Sequence, residues 1–158
     1  MSKFVLIDGH SILNRAFYGV PIFTNSEGLH TNAVFGFLNI MFKIIDSKQP
    51  DYMAVAFDVH QPTFRHEMFK DYKGTRKPMM EELREQVPVI KELLQKMNIT
   101  TVELPGYEAD DVIGTLSKKG EKAGMEVDVI SGDRDLLQLA SDYITICIPK
   151  TKKGQTTV

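Results

Sequence analysis

The stretch TVELPGYEADD, residues 101–111, joins a strand-like run to a helical run and places three carboxylates at the junction. Residues 101–104 have strand character, and a Pro-Gly pair interrupts them before the acids Glu108, Asp110 and Asp111. Acids in the first turn of a helix suit its dipole, so helix capping would explain one or two of them. Three acids this close repel one another and stay ionised only where water or a cation compensates them. We therefore favour a metal site.

The same pattern recurs along the chain. Strand-like runs alternate with helical patterns, and the continuous apolar run of residues 4–7 is typical of a strand buried on both faces. These runs cover residues 4–7, 52–57, 99–104, 127–130 and 144–148. The alternation predicts an α/β fold with a mostly parallel central sheet of about five strands. Four of the five runs end in acids, which are Asp8, Asp58, Glu108, Asp110, Asp111, Asp133 and Asp135.

The carboxyl ends of parallel strands meet at one edge of a sheet, where open α/β folds have their functional crevice. A turn or a helix cap would account for each acid singly. Together they predict a pocket of strong negative potential that suits a hard cation. Without Cys or His at ligand spacing, Mg²⁺ or Mn²⁺ is favoured over Zn²⁺, although His10 and His60 follow two of the acids. Two such ions would clamp a scissile phosphate, which is the chemistry of phosphodiester hydrolysis.

A basic segment can supply the binding surface for such a substrate. Residues 64–77 contain five basic residues against two acids, with three aromatic residues between them. Basic side chains neutralise phosphates and aromatic rings stack on unpaired bases. The alternative is a solvated loop whose aromatic residues pack on the core. The candidate DNA-binding residues are Arg15, Arg65, Tyr72, Lys73, Arg76 and Lys77.

Composition bounds the remaining possibilities. The 158 residues form one predicted domain with 42% hydrophobic and 25% charged residues, and a net charge of −2 gives no global basic field. The single cysteine, Cys147, predicts a buried thiol in a reducing compartment. We see no signal peptide, and the longest apolar stretch, residues 34–42, is too short to span a bilayer. We expect a cytoplasmic protein that has no membrane partner.

Seven short motifs occur in the order of a known family. They are Ile7-Asp8-Gly9, Arg15-Ala16-Phe17, Phe57-Asp58, Phe64-Arg65, Tyr72-Lys73-Gly74-Thr75-Arg76, Gly106-Tyr107-Glu108-Ala109-Asp110-Asp111 and Ser131-Gly132-Asp133-Arg134-Asp135. This set closely resembles the 5′-nuclease family, whose 5′→3′ exonuclease or flap endonuclease-like domain forms the N-terminus of bacterial DNA polymerase I.

The resemblance implies a PIN-like (Rossmann-like) three-layer fold and a helical arch or clamp at residues 59–80, inserted after the second strand. It implies divalent-metal hydrolysis of DNA at 5′ flaps, nicks and branched duplexes, including removal of RNA primers. The acids named above would bind the metal. Lys73 and Arg76 would hold and activate the scissile phosphate, and Tyr72 would stack on a base.

The chain differs from that family in length. The family domain continues into a helix-three-turn-helix region that grips the downstream duplex and gives two more aspartates to a second metal site. We therefore expect residues 1–158 to be the N-terminal, metal-binding part of a longer domain. Two ions are expected in the full domain and one here, with a monomeric chain and a fused polymerase region in the full-length protein.

Two alternatives stay open. The chain could fold, bind metal and branched DNA, and fail to cleave. A phosphatase of the haloacid-dehalogenase kind also sets acids at strand ends, but it needs a second aspartate two residues after the first, where this chain has His10.

Overall fold

The computed structural model describes residues 1–59, 81–152 and 155–157. The strands in these ranges are β1 (Lys3–Asp8), β2 (Tyr52–Ala56), β3 (Thr100–Val102), β4 (Glu126–Ile130), β5 (Ile144–Cys147), β6 (Lys150–Lys152) and β7 (Gln155–Thr157). The first five form one sheet in the order β3-β2-β1-β4-β5, and every pair is parallel. The predicted central sheet is thus confirmed. The antiparallel hairpin of β6 and β7 was not predicted.

The helices of the described ranges are α1 (Gly9–Gly19), α2 (Asn32–Lys48), α3 (Glu81–Arg84), α4 (Gln86–Lys96), α5 (Ala109–Lys122) and a 3₁₀ helix (Arg134–Leu139). None of them is long and apolar enough to cross a membrane. The sequence predicts α1 only from Ser11, whereas the helix begins directly after the strand because the Asp8 side chain caps it.

The sheet is the middle of three layers, as predicted. Val5, Leu6 and Ile7 of β1 are fully buried. Val5 and Ile7 belong to a core with α1, α2, α3 and α4, whereas Leu6 belongs to a second core with α5 and the 3₁₀ helix. Because successive side chains of a strand point to opposite faces, a continuous apolar run is what this double burial requires.

Pro88 lies within a helical pattern that the sequence predicts to be kinked or split. The pattern is split, and the break falls at Glu85, between α3 and α4. Pro88 is the third residue of α4, where its missing N–H is one that a helix leaves unpaired. Its ring would clash with the carbonyl of Arg84 in a continuous helix, so the break lies one turn before the proline.

Two buried amide side chains, Asn32 and Gln86, connect the ends of three helices. Gln86 Oε1 accepts from the backbone N–H groups of Ala33 and Val34 at 2.8 and 3.1 Å, while its Nε2 donates to Asn32 Oδ1 and to the Glu82 carbonyl, both at 2.9 Å. Thr31, the predicted N-cap of α2, occupies that position without a side-chain capping bond. Gln86, 52 to 53 residues away, supplies the acceptor instead.

Asn32 completes this connection. Its Nδ2 donates to the carbonyl oxygens of Phe17 and Val20 at the end of α1, at 3.0 and 3.1 Å. One polar pair therefore fixes α1, α2 and α3 relative to α4.

Two further expectations differ in detail. The predicted short helix at residues 136–140 is a 3₁₀ helix that begins at Arg134. Cys147 is half-buried rather than buried, because it ends β5, which has a neighbour on one side only in the described sheet. Burial nevertheless raises the pKa of its thiol.

Candidate functional site

Asp8 ends the central strand of the sheet. The strand order makes β2 its neighbour on one side and β4 its neighbour on the other, so the chain switches sides around β1. In open α/β sheets such a switch opens a crevice at the carboxyl ends of the strands. Asp58 and Asp133 follow the two flanking strands, so all three acids lie at this edge.

The Asp8 carboxylate accepts hydrogen bonds from one side chain and one backbone N–H. Its Oδ2 accepts a hydrogen bond from Ser131 Oγ at 2.8 Å, and its Oδ1 faces the backbone N–H of Ser11 at 3.5 Å. Gly9 is required beside it, because a Cβ at this position would lie 2.5 Å from the Phe57 ring and 2.8 Å from the Ala56 carbonyl oxygen. The strand ends approach closely here, and Asp8 itself is buried.

The pKa of Asp8 is raised from 3.8 to about 6, mainly by burial and in smaller part by the charges of Asp58 and Asp133, while the hydrogen bonds from Ser131 and Ser11 lower it. Two carboxylates from neighbouring strands are therefore close enough to disfavour the charge on a third. A cation bound among them would reverse this effect.

Asp58 connects β2 to the start of α5. Its Oδ1 accepts from the backbone N–H of Ala109 at 2.5 Å, so the acid stabilises the N-terminus of the helix that carries the next acids. His10 Nε2 lies 3.3 Å from the Asp58 backbone carbonyl, and its pKa is lowered by burial. His10 thus contacts the main chain of this segment, and His60 lies outside the described residues.

Glu108 precedes α5 in an extended conformation, with φ −81° and ψ 160°. The sequence predicts a helix from Glu108, and the three acids of this stretch can face one site only if Glu108 sits in the loop before it. The helix begins at Ala109, which meets that condition. Gly106, with φ +86°, permits the turn that delivers it. The backbone N–H of Glu108 donates to Asp111 Oδ2 at 3.1 Å, which fixes the first turn of the helix.

Four acids from two segments line one cleft of about 300 Å³. They are Glu108, Asp110, Asp111 and Asp135. Asp133 caps the 3₁₀ helix by accepting from the Asp135 backbone N–H at 2.9 Å, which sets the position of Asp135 at the rim. The bond that caps the 3₁₀ helix therefore also positions one of the acids that line the cleft.

The acids fit a hard cation through their chemistry and their common edge. In the part of the chain that the structure describes, no three Asp, Glu, His or Cys side chains are close enough to enclose a metal by themselves. Mutual repulsion favours such spacing, and Mg²⁺ usually binds through one or two carboxylates together with water and substrate phosphates. An open row of oxygen ligands agrees with that mode of binding.

Arg15 lies beside the acidic edge. It lines a cleft of about 390 Å³ with Ser11, Tyr18 and Gly132. Gly132, whose backbone N–H donates to Ser11 Oγ at 2.7 Å, directly precedes Asp133. A guanidinium group in this position can bind one phosphate of a nucleic-acid backbone while the next phosphate lies at the carboxylates.

Five predicted substrate-binding residues lie outside the described residues, and their roles stay predictions. They are Arg65, Tyr72, Lys73, Arg76 and Lys77. Sequence reasoning missed Ser131, which is fully buried and contacts Asp8. The available signal was a hydroxyl residue that continues the apolar run of β4 immediately before Gly132-Asp133.

Comparison with known proteins identifies the family of this chain. Residues 3–158 match the family model described as "5'-3' exonuclease, N-terminal resolvase-like domain". The chain is 52% identical over 156 residues to DNA polymerase I of Bacillus subtilis, covering 99% of this chain and 18% of that protein. It is 41% identical over 149 residues to a 5'-3' exonuclease of Aquifex aeolicus, covering 94% of this chain and 52% of that protein.

A solved structure shares the fold. It is the flap endonuclease of bacteriophage T5 in a pseudo-enzyme–product complex with DNA and metal ions, with a TM-score of 0.69 and 23% identity. The match covers 91% of this chain and 54% of that one. The chain thus spans about a fifth of the polymerase and about half of the two nucleases, and it belongs to the family of the 5′–3′ exonuclease N-terminal resolvase-like domain.

Proposed function

We propose that this chain carries the metal-binding half of a nuclease that hydrolyses phosphodiester bonds at 5′ ends, flaps or nicks in DNA. The single observation that carries the proposal is the buried Asp8 at the switch point of the sheet, whose pKa is raised to about 6 by burial and by acids on the two neighbouring strands. Acids gathered at one edge in this way favour the binding of a cation, which would compensate their charge.

The proposed cofactor is Mg²⁺ or Mn²⁺, because the candidate ligands are carboxylate oxygens. Asp8, Asp58 and Asp133 would hold it from the crevice, with Glu108, Asp110, Asp111 and Asp135 along the adjoining cleft. When bound, a divalent cation polarises a phosphate and lowers the pKa of a water molecule.

The proposed substrate is DNA with a free 5′ end. The Arg15 guanidinium would bind a backbone phosphate beside the crevice and so fix the register of the strand. Lys73 and Arg76 would bind the scissile phosphate, Arg65 and Lys77 its neighbours, and Tyr72 an unpaired base. These assignments rest on the sequence motifs, and the T5 flap endonuclease complex with DNA and metal ions supports the substrate class.

The test is cleavage of a labelled 5′-flap duplex by the 158-residue chain with Mg²⁺, with Mn²⁺ and with a chelator. We expect metal-dependent cleavage that Asp110→Asn reduces by two orders of magnitude or more, since loss of a partner that only orients a ligand already costs about 10- to 100-fold. Asp46→Asn is a matched control, because it removes the same charge from an exposed position on α2.

Three other outcomes of the flap-cleavage test would contradict the proposal or favour an alternative function. Metal-dependent binding of the flap without cleavage would favour the binding module. Robust cleavage by the Asp110→Asn variant would refute the metal role of this stretch. Hydrolysis of a phosphomonoester, without action on DNA, would favour a phosphatase. A cytoplasmic location, a monomeric state and a fused polymerase region stay predictions.

A further inference from the structure

Ser131 lies between two of the candidate metal-binding segments. It follows β4, it is fully buried, and its hydroxyl contacts residues on both sides of the switch point. Ser131 Oγ donates to Asp8 Oδ2 at 2.8 Å and accepts from the backbone N–H of Asp133 at 3.0 Å. No other described side chain contacts the carboxylate of Asp8 by a hydrogen bond.

The two bonds of Ser131 Oγ are compatible with each other. A hydroxyl has one proton and two lone pairs. Because an N–H can only donate, the bond from Asp133 uses a lone pair of Ser131. The hydroxyl proton stays available to donate to Asp8 Oδ2. Ser131 thus connects the orientation of the Asp8 side chain to the main chain at Asp133.

We propose that Ser131 is a positioning residue that sets the Asp8 carboxylate relative to the segment of Asp133 and Asp135, so that both can bind one divalent cation. The inference rests on the proposed metal site and adds a residue that acts through Asp8. Oδ2 is engaged by Ser131, which leaves Oδ1 as the oxygen that faces only a 3.5 Å backbone contact. Hydrogen bonds that orient a ligand carboxylate commonly change metal affinity by about 10- to 100-fold.

The test measures Mn²⁺ binding directly, by electron paramagnetic resonance or calorimetry of the metal-free chain, without a nuclease assay. Ser131→Ala should weaken Mn²⁺ binding about 10-fold or more. Ser131→Thr retains the hydroxyl and should bind within a few-fold of the original chain. Circular dichroism of each variant confirms that it is folded, and in a cleavage assay the metal concentration at half-maximal rate should rise with little change in the rate at saturating metal.

Ser117→Ala is the matched control. Ser117 is also fully buried, and its Oγ donates to a main-chain carbonyl, that of Gly114 at 3.0 Å in α5, rather than to an acid. Its loss should leave Mn²⁺ affinity unchanged, so any general effect of deleting a buried hydroxyl is measured separately.

The outcomes separate two failures. Unchanged Mn²⁺ affinity in the Ser131→Ala variant would overturn the role of Ser131 while leaving the metal site in place. Equal weakening by Ser117→Ala would overturn it as well, because the effect would then be a general consequence of destabilisation. Failure of the unsubstituted chain to bind Mn²⁺ would overturn the metal site itself, and the role of Ser131 with it.

Discussion

Two aspartates buried in the same sheet have opposite surroundings. Asp8 ends β1 and Asp128 lies within β4, and their exposed fractions are 5% and 4%. Asp128 Oδ2 lies 3.2 Å from Lys48 Nζ and 3.7 Å from Lys3 Nζ. Asp8 is held by a hydroxyl and an N–H, and the charges that raise its pKa come from acids.

The comparison separates an acid whose charge is balanced within the fold from one that we propose to bind metal. A buried charge is tolerated when the chain supplies its counter-charge, as it does for Asp128. At Asp8 the neighbouring strands bring further negative charge to the same edge. Burial alone therefore does not indicate a site, whereas burial beside like charges, as the described residues show it for Asp8, makes the acid a candidate for function.

The largest expected difference is in catalysis and metal binding. Asp8→Asn should lower flap cleavage by on the order of 1,000-fold, because it removes a ligand charge rather than a residue that only orients one. Asp128→Asn should cleave within about threefold of the original chain, since it is compensated inside the fold. Single-turnover rates and Mn²⁺ titrations of folded protein would measure both. Similar losses of cleavage and Mn²⁺ binding in the two variants would contradict the separate roles of Asp8 and Asp128.

The next difference is in the stability of the metal-free chain, which the two substitutions Asp8→Asn and Asp128→Asn should change in opposite directions. The pKa of Asp8 rises from 3.8 to about 6, and at 1.36 kcal/mol per pKa unit its ionised form opposes folding at neutral pH by about 3 kcal/mol. Asp8→Asn should therefore raise the free energy of unfolding by about 1–3 kcal/mol, whereas Asp128→Asn should lower it by about 1–3 kcal/mol because Lys48 and Lys3 lose the charge of this buried acid. Urea unfolding in a chelator at pH 7.5 measures both values.

The pH dependence of stability sharpens the same contrast. The folded chain holds a proton on Asp8 more tightly than the unfolded chain does between about pH 4 and 6. This residue therefore contributes most stability below pH 4 and loses it as the pH rises through 6, by at most about 1.4 kcal/mol per pH unit.

His10 opposes this trend, because its lowered pKa makes the folded chain lose stability as the pH falls below about 6.5. The relevant measurement is thus the difference between the metal-free original chain and its Asp8→Asn variant at each pH. A flat difference between pH 4 and 7 would contradict the raised pKa.

The smallest effect concerns the two lysines. Lys3 lies farther from Asp128 than Lys48 does and also approaches Glu126 at 4.0 Å. Lys3→Met should cost about 0.5 kcal/mol, as partly exposed ion pairs usually do, and Lys48→Met should cost more. Thermal unfolding at two salt concentrations measures the order, and a larger loss for Lys3→Met would show that the shorter distance does not decide the strength of the pair.

The sequence predicts much of the fold, because an apolar run that ends in an acid is a local pattern. The apolar runs at β1 and β2 are continuous and that at β4 is interrupted by Asp128, so the three strands and the acids that follow them could be predicted directly. The strand order could not, since the pairing of β4 with β1 is decided by packing over 120 residues of separation. The place of Asp8 between two flanking acids follows only from that order.

The side-chain contacts within the site could not be predicted from the sequence. Ser131 and Asp128 lie in or beside the same apolar run, and neither type of residue signals by itself whether a carboxylate or a lysine faces it. Gln86 lies in an ordinary helical pattern, and the N–H groups it binds belong to another helix. Such interactions depend on the relative placement of elements distant in sequence.

The pair of Asn32 and Gln86 has a consequence for cooperativity. Because Gln86 is the acceptor for the first N–H groups of α2, those amides are protected only while α4 is docked. Hydrogen exchange at Ala33 and Val34 should therefore occur at the same free energy as exchange within α4, rather than through independent fraying of α2. Two segments of the chain separated by more than 50 residues would then open as one unit, and Gln86→Ala would uncouple them.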